Sequence, residues 1–212
     1  MKIAVIGASG KAGNAILLEA LDRGHEGTAI VRNPFKITDK RAAVVQKDIF
    51  DLTAEDLKGH DVIVNAFSAP AGEEHLHVDA GNALIEALKD SAGTRLIVVG
   101  GAGSLFVDEE KTTRVMEAPG FPEEYFPTAS NQGKNLDILK QTEGIQWTFV
   151  SPSAIFALGR RTGAYQSGKD NLLVNSAGES YVSYEDFAVA VVDEIENPQH
   201  KNERFTVVSE SK

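Results

Sequence analysis

The residues best suited to chemistry open the chain, in Gly7-Ala8-Ser9-Gly10-Lys11-Ala12-Gly13. Glycines spaced three apart follow the apolar run Ile3-Ala4-Val5-Ile6 and precede the helical-period pattern Ala15-Ile16-Leu17-Leu18, which reads as strand, tight turn and helix. In that setting Gly7 turns the chain off the strand, Gly10 lets the backbone approach a pyrophosphate, and Gly13 lets the helix pack closely on the strand. The start of the helix then points its unpaired N–H groups at the phosphates. The spacing G-x-x-G-x-x-G departs from the standard G-x-G-x-x-G, so the reading leans on a second position. About twenty residues past the last glycine, where a carboxylate would take the ribose of NAD, stands Arg32 in Arg32-Asn33-Pro34. A guanidinium there suits a 2′-phosphate and points to NADP, with Lys36 as a second positive charge. A ligand-free glycine turn and a solvated strand-end arginine are the plain alternatives.

Further candidates follow along the chain. Asp48, with Ile49 beside it, stands just past an expected strand at residues 42–45, where an acceptor for the adenine amino group would sit. The alternative is that Asp51 or Thr53 caps the short helix Ala54–Leu57 while Asp48 occupies the turn. Ala66, Phe67 and Ser68 close a strand spanning residues 61–68 and are expected beside the adenosine and ribose. Gly100 and Gly101 open the glycine-rich stretch after the strand Arg95–Val99, and Ser104 is the hydroxyl best placed there to meet a nicotinamide or a substrate. A glycine-rich turn carrying a solvated serine remains the other reading. His75 and His77, two apart, make a poor metal pair and read as surface residues; no metal is expected.

These positions need strands and helices in alternation. The pattern predicts helices over residues 11–22, 74–90, 128–141 and 184–196, with strands at 28–31, 61–68, 95–99, 145–150 and 204–208. That alternation implies an α/β Rossmann-type doubly wound parallel sheet with right-handed crossovers. A charged segment at 108–117 reads as mobile, and prolines 119, 122 and 127 forbid one unbroken helix beyond it. Residues 172–174 read as a short strand. From about residue 153 the chain forms a small extension, including the basic loop 159–165, expected to build the substrate side of the cleft within a single domain covering 1–212.

The chain has 212 residues, of which 42% are hydrophobic and 25% charged, enough for a sizeable core without any run near the roughly 20 apolar residues of a membrane span. Its net charge of −10 argues against nucleic acid as a partner. An anionic cofactor must therefore be met locally by a few cations. Cysteine is absent, which removes disulfides, thiolate metal sites and thiol nucleophiles together. Because the first apolar run is needed as a strand, a secretory leader is not expected and a cytoplasmic location is.

Taken together, Ile6-Gly7-Ala8-Ser9-Gly10-Lys11-Ala12-Gly13, Val31-Arg32-Asn33-Pro34, Asn65-Ala66-Phe67, Val98-Val99-Gly100-Gly101-Ala102-Gly103-Ser104-Leu105, Ser151-Pro152 and Val182-Ser183-Tyr184-Glu185-Asp186-Phe187-Ala188 make the chain resemble the atypical branch of the short-chain dehydrogenase/reductase superfamily. Within it the NADH-flavin reductase group is similar, as are biliverdin reductase B and nitrogen-metabolite-repressor-like regulators. The resemblance implies a nicotinamide dinucleotide held through Ser9, Gly10, Lys11 and Ala12, with Ser151, Pro152 and Ser153 near the nicotinamide. It also brings a departure. Typical members use Tyr-x-x-x-Lys as acid and ribose anchor, whereas here Ser130 stands four residues before Lys134, and Tyr125 is off that spacing. Lys134 can still hold a ribose, but a serine is too weak an acid to replace the tyrosine.

The chemistry expected is therefore NADPH-dependent hydride transfer to a flavin, quinone-like or related conjugated acceptor, with flavin as substrate rather than prosthetic group. Such acceptors take hydride directly and draw the proton from solvent. A non-catalytic NADP-binding redox sensor shares the same cleft and is the alternative; an extended-branch epimerase is disfavoured by the missing tyrosine. The partner expected is a small-molecule acceptor, with the protein a monomer or a homodimer.

Overall fold

A computed structural model describes residues 1–91 and 93–211. In chain order these form β1 (Lys2–Ile6), α1 (Lys11–Asp22), β2 (Glu26–Val31), β3 (Ala43–Gln46), α2 (Ala54–Leu57), β4 (Val62–Asn65), α3 (Leu76–Leu88) and β5 (Arg95–Val99). They continue with α4 (Phe126–Gln141), β6 (Gln146–Ser151), β7 (Ile155–Ala157), β8 (Gln166–Gly168), β9 (Tyr181–Ser183), α5 (Tyr184–Glu196) and β10 (Glu203–Val208). The main sheet runs β3-β2-β1-β4-β5-β6-β10-β8. Every neighbouring pair in it is parallel except β10 with β8.

The central strands are apolar over most of their length because both of their faces are covered. On β1, Ile3 and Val5 point into a core shared with Ile16 and Leu17 of α1 and Phe187 and Val191 of α5. Ala4 and Ile6 point the other way, to Leu84 and Leu88 of α3 and Leu136 and Leu139 of α4. Each such large side chain withdrawn from water contributes about 1.5–3 kcal/mol. At the edge, β3 has helix cover on neither face, and all four of its residues are exposed.

Several expectations give way to the tertiary structure. No strand forms at residues 172–174: Leu172 donates its N–H to Phe106 O, and the strand that closes the sheet is β8, whose short run pairs antiparallel with β10. The 108–117 segment is held by Asp108, whose carboxylate accepts from the Thr112 and Thr113 N–H groups at 2.8 and 2.7 Å. Lys111 pairs with Asp170 across to the next loop, so Asp108 and Lys111 are tied down rather than simply solvated. Helix α4 begins two residues early, with Pro127 in its first turn, where the missing N–H leaves no hydrogen bond unmade. His75 is exposed, but His77 is buried on the inward face of α3, at 7% exposure.

The carboxyl-terminal extension is fastened to α1 and α5. Arg161 makes two hydrogen bonds of 2.7 Å to Glu19, which is itself buried in α1. Chiefly through Arg161, this pairing holds the Glu19 carboxyl below its usual range. Asp186, wholly buried, accepts from Thr162 N, Gly163 N and Thr162 Oγ1 at 2.8, 2.9 and 2.7 Å, while Ser183 caps α5 by accepting from Asp186 N. Removing that carboxylate leaves two loop amides and the Thr162 hydroxyl without their acceptor. Asp186→Ala is therefore expected to lower stability by about 1.5–3 kcal/mol in urea unfolding, and a loss under about 0.5 kcal/mol would show that the loop is held by other contacts.

Candidate functional site

The carboxyl ends of β1, β2 and β4 surround a cavity of about 290 Å³. Its floor is the first turn. Gly7 has φ +75°, a conformation that costs a side-chain-bearing residue free energy, and a Cβ there would lie 2.5 Å from Ala66 O. Asn65 fixes the facing turn by accepting from Phe67 N at 3.1 Å. A methyl on Gly13 would collide with the Gly7 carbonyl, so α1 rests directly on the turn. Gly10 caps α1 without any side-chain acceptor, which leaves the first-turn amides directed at the cavity mouth. The one described atom within 4 Å of where a Gly10 Cβ would stand is Gly7 O, at 3.3 Å, so nothing else crowds that face. These uncapped amides and that bare backbone fit a diphosphate.

Of the positions singled out in the sequence, Gly7, Ser9, Gly10, Arg32, Asn33, Lys36, Asp48, Ile49, Ala66, Phe67 and Ser68 all line this cavity. Arg32 stands at the tip of β2 with its side chain 71% exposed, and its Nε is 4.0 Å from Asp48 Oδ2, a loose pairing. Lys36 and Lys11 form no ion pair among the described residues. Lys47, next to Asp48 in sequence and overlooked there, also reaches the wall, but its charge is committed elsewhere: its ammonium, helped by Thr53, holds the Asp56 carboxyl down to about 2. Asp48 takes the turn role and also lines the cavity. One carboxylate oxygen accepts from Phe50 N at 3.1 Å, and Asp48 still faces the cavity, while Thr53 and Asp56 form the capping box of α2.

Lys11 lines a second cavity of about 550 Å³, which shares Ser9, Gly10 and Lys36 with the first and extends along α1 to Leu158, Arg161 and Tyr184. Ala12 and Gly13 lie inside the first turn of α1. Neither cavity includes Gly100, Gly101, Ser151, Pro152 or Ser153. Ser151 and Ser153 are buried at the end of β6, and Ser153 Oγ donates to Val207 O at 2.7 Å.

The three residues considered for catalysis are not brought together. Ser104 is 4% exposed, and its Oγ accepts from Arg204 Nη1 at 3.1 Å, so it is a buried anchor and not the open hydroxyl the sequence suggested. Tyr125 caps α4 and is 59% exposed. Lys134 lies on an exposed position of the same helix, nine residues on and so about half a turn out of phase with it.

Phe67 packs edge-on against Phe50 and His77, each with ring centroids 5.9 Å apart. Burial depresses the pKa of His77 below 6.5, against a weaker opposing pull from Glu74. The unfolded chain therefore binds a proton that the folded chain resists. The stability this neutral ring permits is complete above pH 6.5 and falls as pH drops through and below that value. A His77→Gln variant is expected to show a flatter dependence of urea-unfolding free energy between pH 7 and 5 than the parent; parallel curves would remove His77 from the acid sensitivity.

The strand order, the helix seated on a glycine turn and the cation-bearing cavity at the strand ends define a Rossmann-type dinucleotide-binding domain. The model of the NAD(P)H-binding family matches residues 7–198, and the chain belongs to that family, consistent with the atypical short-chain dehydrogenase/reductase group that its motifs resemble. It is 65% identical over 212 residues to YwnB of Bacillus subtilis strain 168, covering all of both chains. It is 43% identical to SP1627 of Streptococcus pneumoniae TIGR4, named a "putative NADH-flavin reductase", with 99% and 100% of the two chains covered and a TM-score of 0.92. A Bacteroides thetaiotaomicron structure named a "putative epimerase" is 38% identical, with 98% and 96% covered and a TM-score of 0.88. Among the described residues no helix is long and apolar enough to cross a membrane, and no cluster of three or more histidines and carboxylates could hold a metal ion.

Proposed function

We propose that the protein is an NADPH-dependent oxidoreductase that passes a hydride to a flavin, a quinone-like compound or a related conjugated acceptor. The observation that carries the cofactor half is Arg32, an exposed guanidinium on the rim of a cavity floored by uncapped helix amides. In a chain of net charge −10, cations without close partners at that rim are matched to an anion. The dihydronicotinamide supplies the hydride when bound. The chain's own residues have simpler tasks. The first-turn amides and Ser9 hold the diphosphate, Arg32 and Lys36 hold the 2′-phosphate, the oxygen of Asp48 not taken by Phe50 accepts from the adenine amino group, and Lys134 anchors a ribose.

The acceptor half rests on what α4 carries. Ser130 stands where a tyrosine acid is usual, and a carbonyl or sugar substrate would need that proton. Acceptors that stabilise the added electron pair over a conjugated ring need the two rings aligned and water able to deliver the proton. The name of SP1627 favours the same chemistry over the epimerase named for the Bacteroides relative.

Calorimetry tests the first half. Arg32→Ala is expected to weaken NADPH binding by about 10- to 100-fold while changing NADH binding less than about threefold, the loss of one charge-assisted contact. Equal affinity of the parent for both dinucleotides would overturn the role of Arg32. NADPH oxidation with FMN, riboflavin and menadione tests the second half, and binding without turnover on all three would replace the reductase with the sensor.

A further inference from the structure

Gly101 poses a question that its backbone does not answer. With φ −130° and ψ 168° it lies in extended space open to any residue, so the glycine is not there for its conformational freedom. What it lacks is a Cβ, and the space that atom would need is taken by the side-chain amide of Gln132, projecting from α4 with Oε1 foremost. The neighbouring Gly100 differs: there the ring of Phe149 fills the space and simply packs. The Gln132 amide does not pack as an apolar group would. It makes no hydrogen bond to any described residue, and its side chain is half-buried rather than extended into water. The missing Cβ lets this amide stand directly over the turn, and its polar atoms are not sealed from the surface, so a ligand at the strand end can reach them.

Its location gives the ligand's place. Gly101 follows β5, whose carboxyl end opens on the same side of the sheet as the dinucleotide cavity, and in open α/β sheets ligands lie outside those ends. A primary amide offers one acceptor and two donors in a single plane. Its complement is a ring edge on which an N–H stands next to a carbonyl, a lactam or imide. We infer that Gln132 is a specificity-determining residue that receives the lactam edge of a conjugated heterocyclic acceptor, Oε1 accepting from the ring N–H and Nε2 donating to the adjacent carbonyl. This rests on the hydride-transfer reading above and narrows it from conjugated acceptors in general to nitrogen heterocycles of the isoalloxazine kind, ahead of quinones.

The test is binding, so that it does not depend on turnover. Riboflavin and 3-methylriboflavin, which lacks the ring N–H, are titrated into protein saturated with NADP+, and flavin fluorescence is followed. The parent should bind riboflavin at least about tenfold more tightly than the methyl analogue, the value of one such hydrogen bond with its partner left unpaired. Gln132→Ala should lose that discrimination by weakening riboflavin alone, with NADP+ affinity unchanged within about twofold. Gly101→Ala, which displaces the amide by placing a methyl in its space, should act in the same direction. If Gln132→Ala does not fold, the parent's discrimination and Gly101→Ala decide. Equal affinity of the parent for the two flavins, no binding of either, or riboflavin affinity indifferent to both substitutions overturns the assignment. Riboflavin bound through Gln132 without NADPH oxidation would instead sink the reductase and leave the assignment standing.

Discussion

The contact on which the rest depends is the seat of α1 on the Gly7 turn. Gly13 lies so near the Gly7 carbonyl that any side chain would lift the helix, and Gly7 lies so near Ala66 that any side chain would part β1 from the end of β4. Two missing side chains thus let a helix start directly at the sheet's carboxyl edge. That closeness carries the amide ends of α1 to the cavity mouth, where their partial charges act at short range.

Holding the helix there requires more than local packing. One face of α1 is buried against β1 and β2, and Glu19 on it is buried with its charge answered by Arg23 and Arg161. Arg23 in turn reaches Asp193 and Glu196 of α5, and Tyr165, its hydroxyl 2.8 Å from Asp193, has its pKa raised by burial and by that carboxylate. Every buried charge in this chain of contacts has a partner, without which burial would be costly. The network touches the second cavity through Glu19 and Arg161 but takes none of the charge of Arg32, Lys36 or Lys11, which stand as cations without close partners beside the cleft.

The other half of the strand ends is fixed in a different way. Arg204, buried on β10, donates to the carbonyl and hydroxyl of Ser104 and to Asp170, so the glycine-rich turn after β5 is pinned from beneath. Asp170 also takes Lys111, which joins the 108–117 segment to the same anchor. The serine that resembles a reactive hydroxyl in sequence is in fact spent on holding the turn, and α4 presents Gln132 over it. On the function proposed above, binding of a nucleotide and choice of acceptor are divided between two strand ends, β1 and β5, that share one sheet and have separate supports.

What the amino-acid sequence determined by itself is the part whose causes are local. A strand followed by spaced glycines and a helical period specifies β1, the turn and α1, and alternation along the chain specifies a parallel sheet, because those patterns act through nearest neighbours and burial on both faces. Arg32, Lys36 and Asp48 were legible for the same reason: each stands at a fixed offset from a strand end. Tertiary structure decided everything that turns on a distant partner. It closed the sheet with β8 instead of residues 172–174, because the edge of β10 is met by whichever segment returns beside it. It buried His77 beneath Phe67, ordered the 108–117 segment through Asp108 and Asp170, and took Ser104 out of play through Arg204, a hundred residues away. It also set Gln132 over Gly101, a pairing across two elements that no periodicity or spacing can express, since a missing Cβ has meaning only beside the side chain that fills its space.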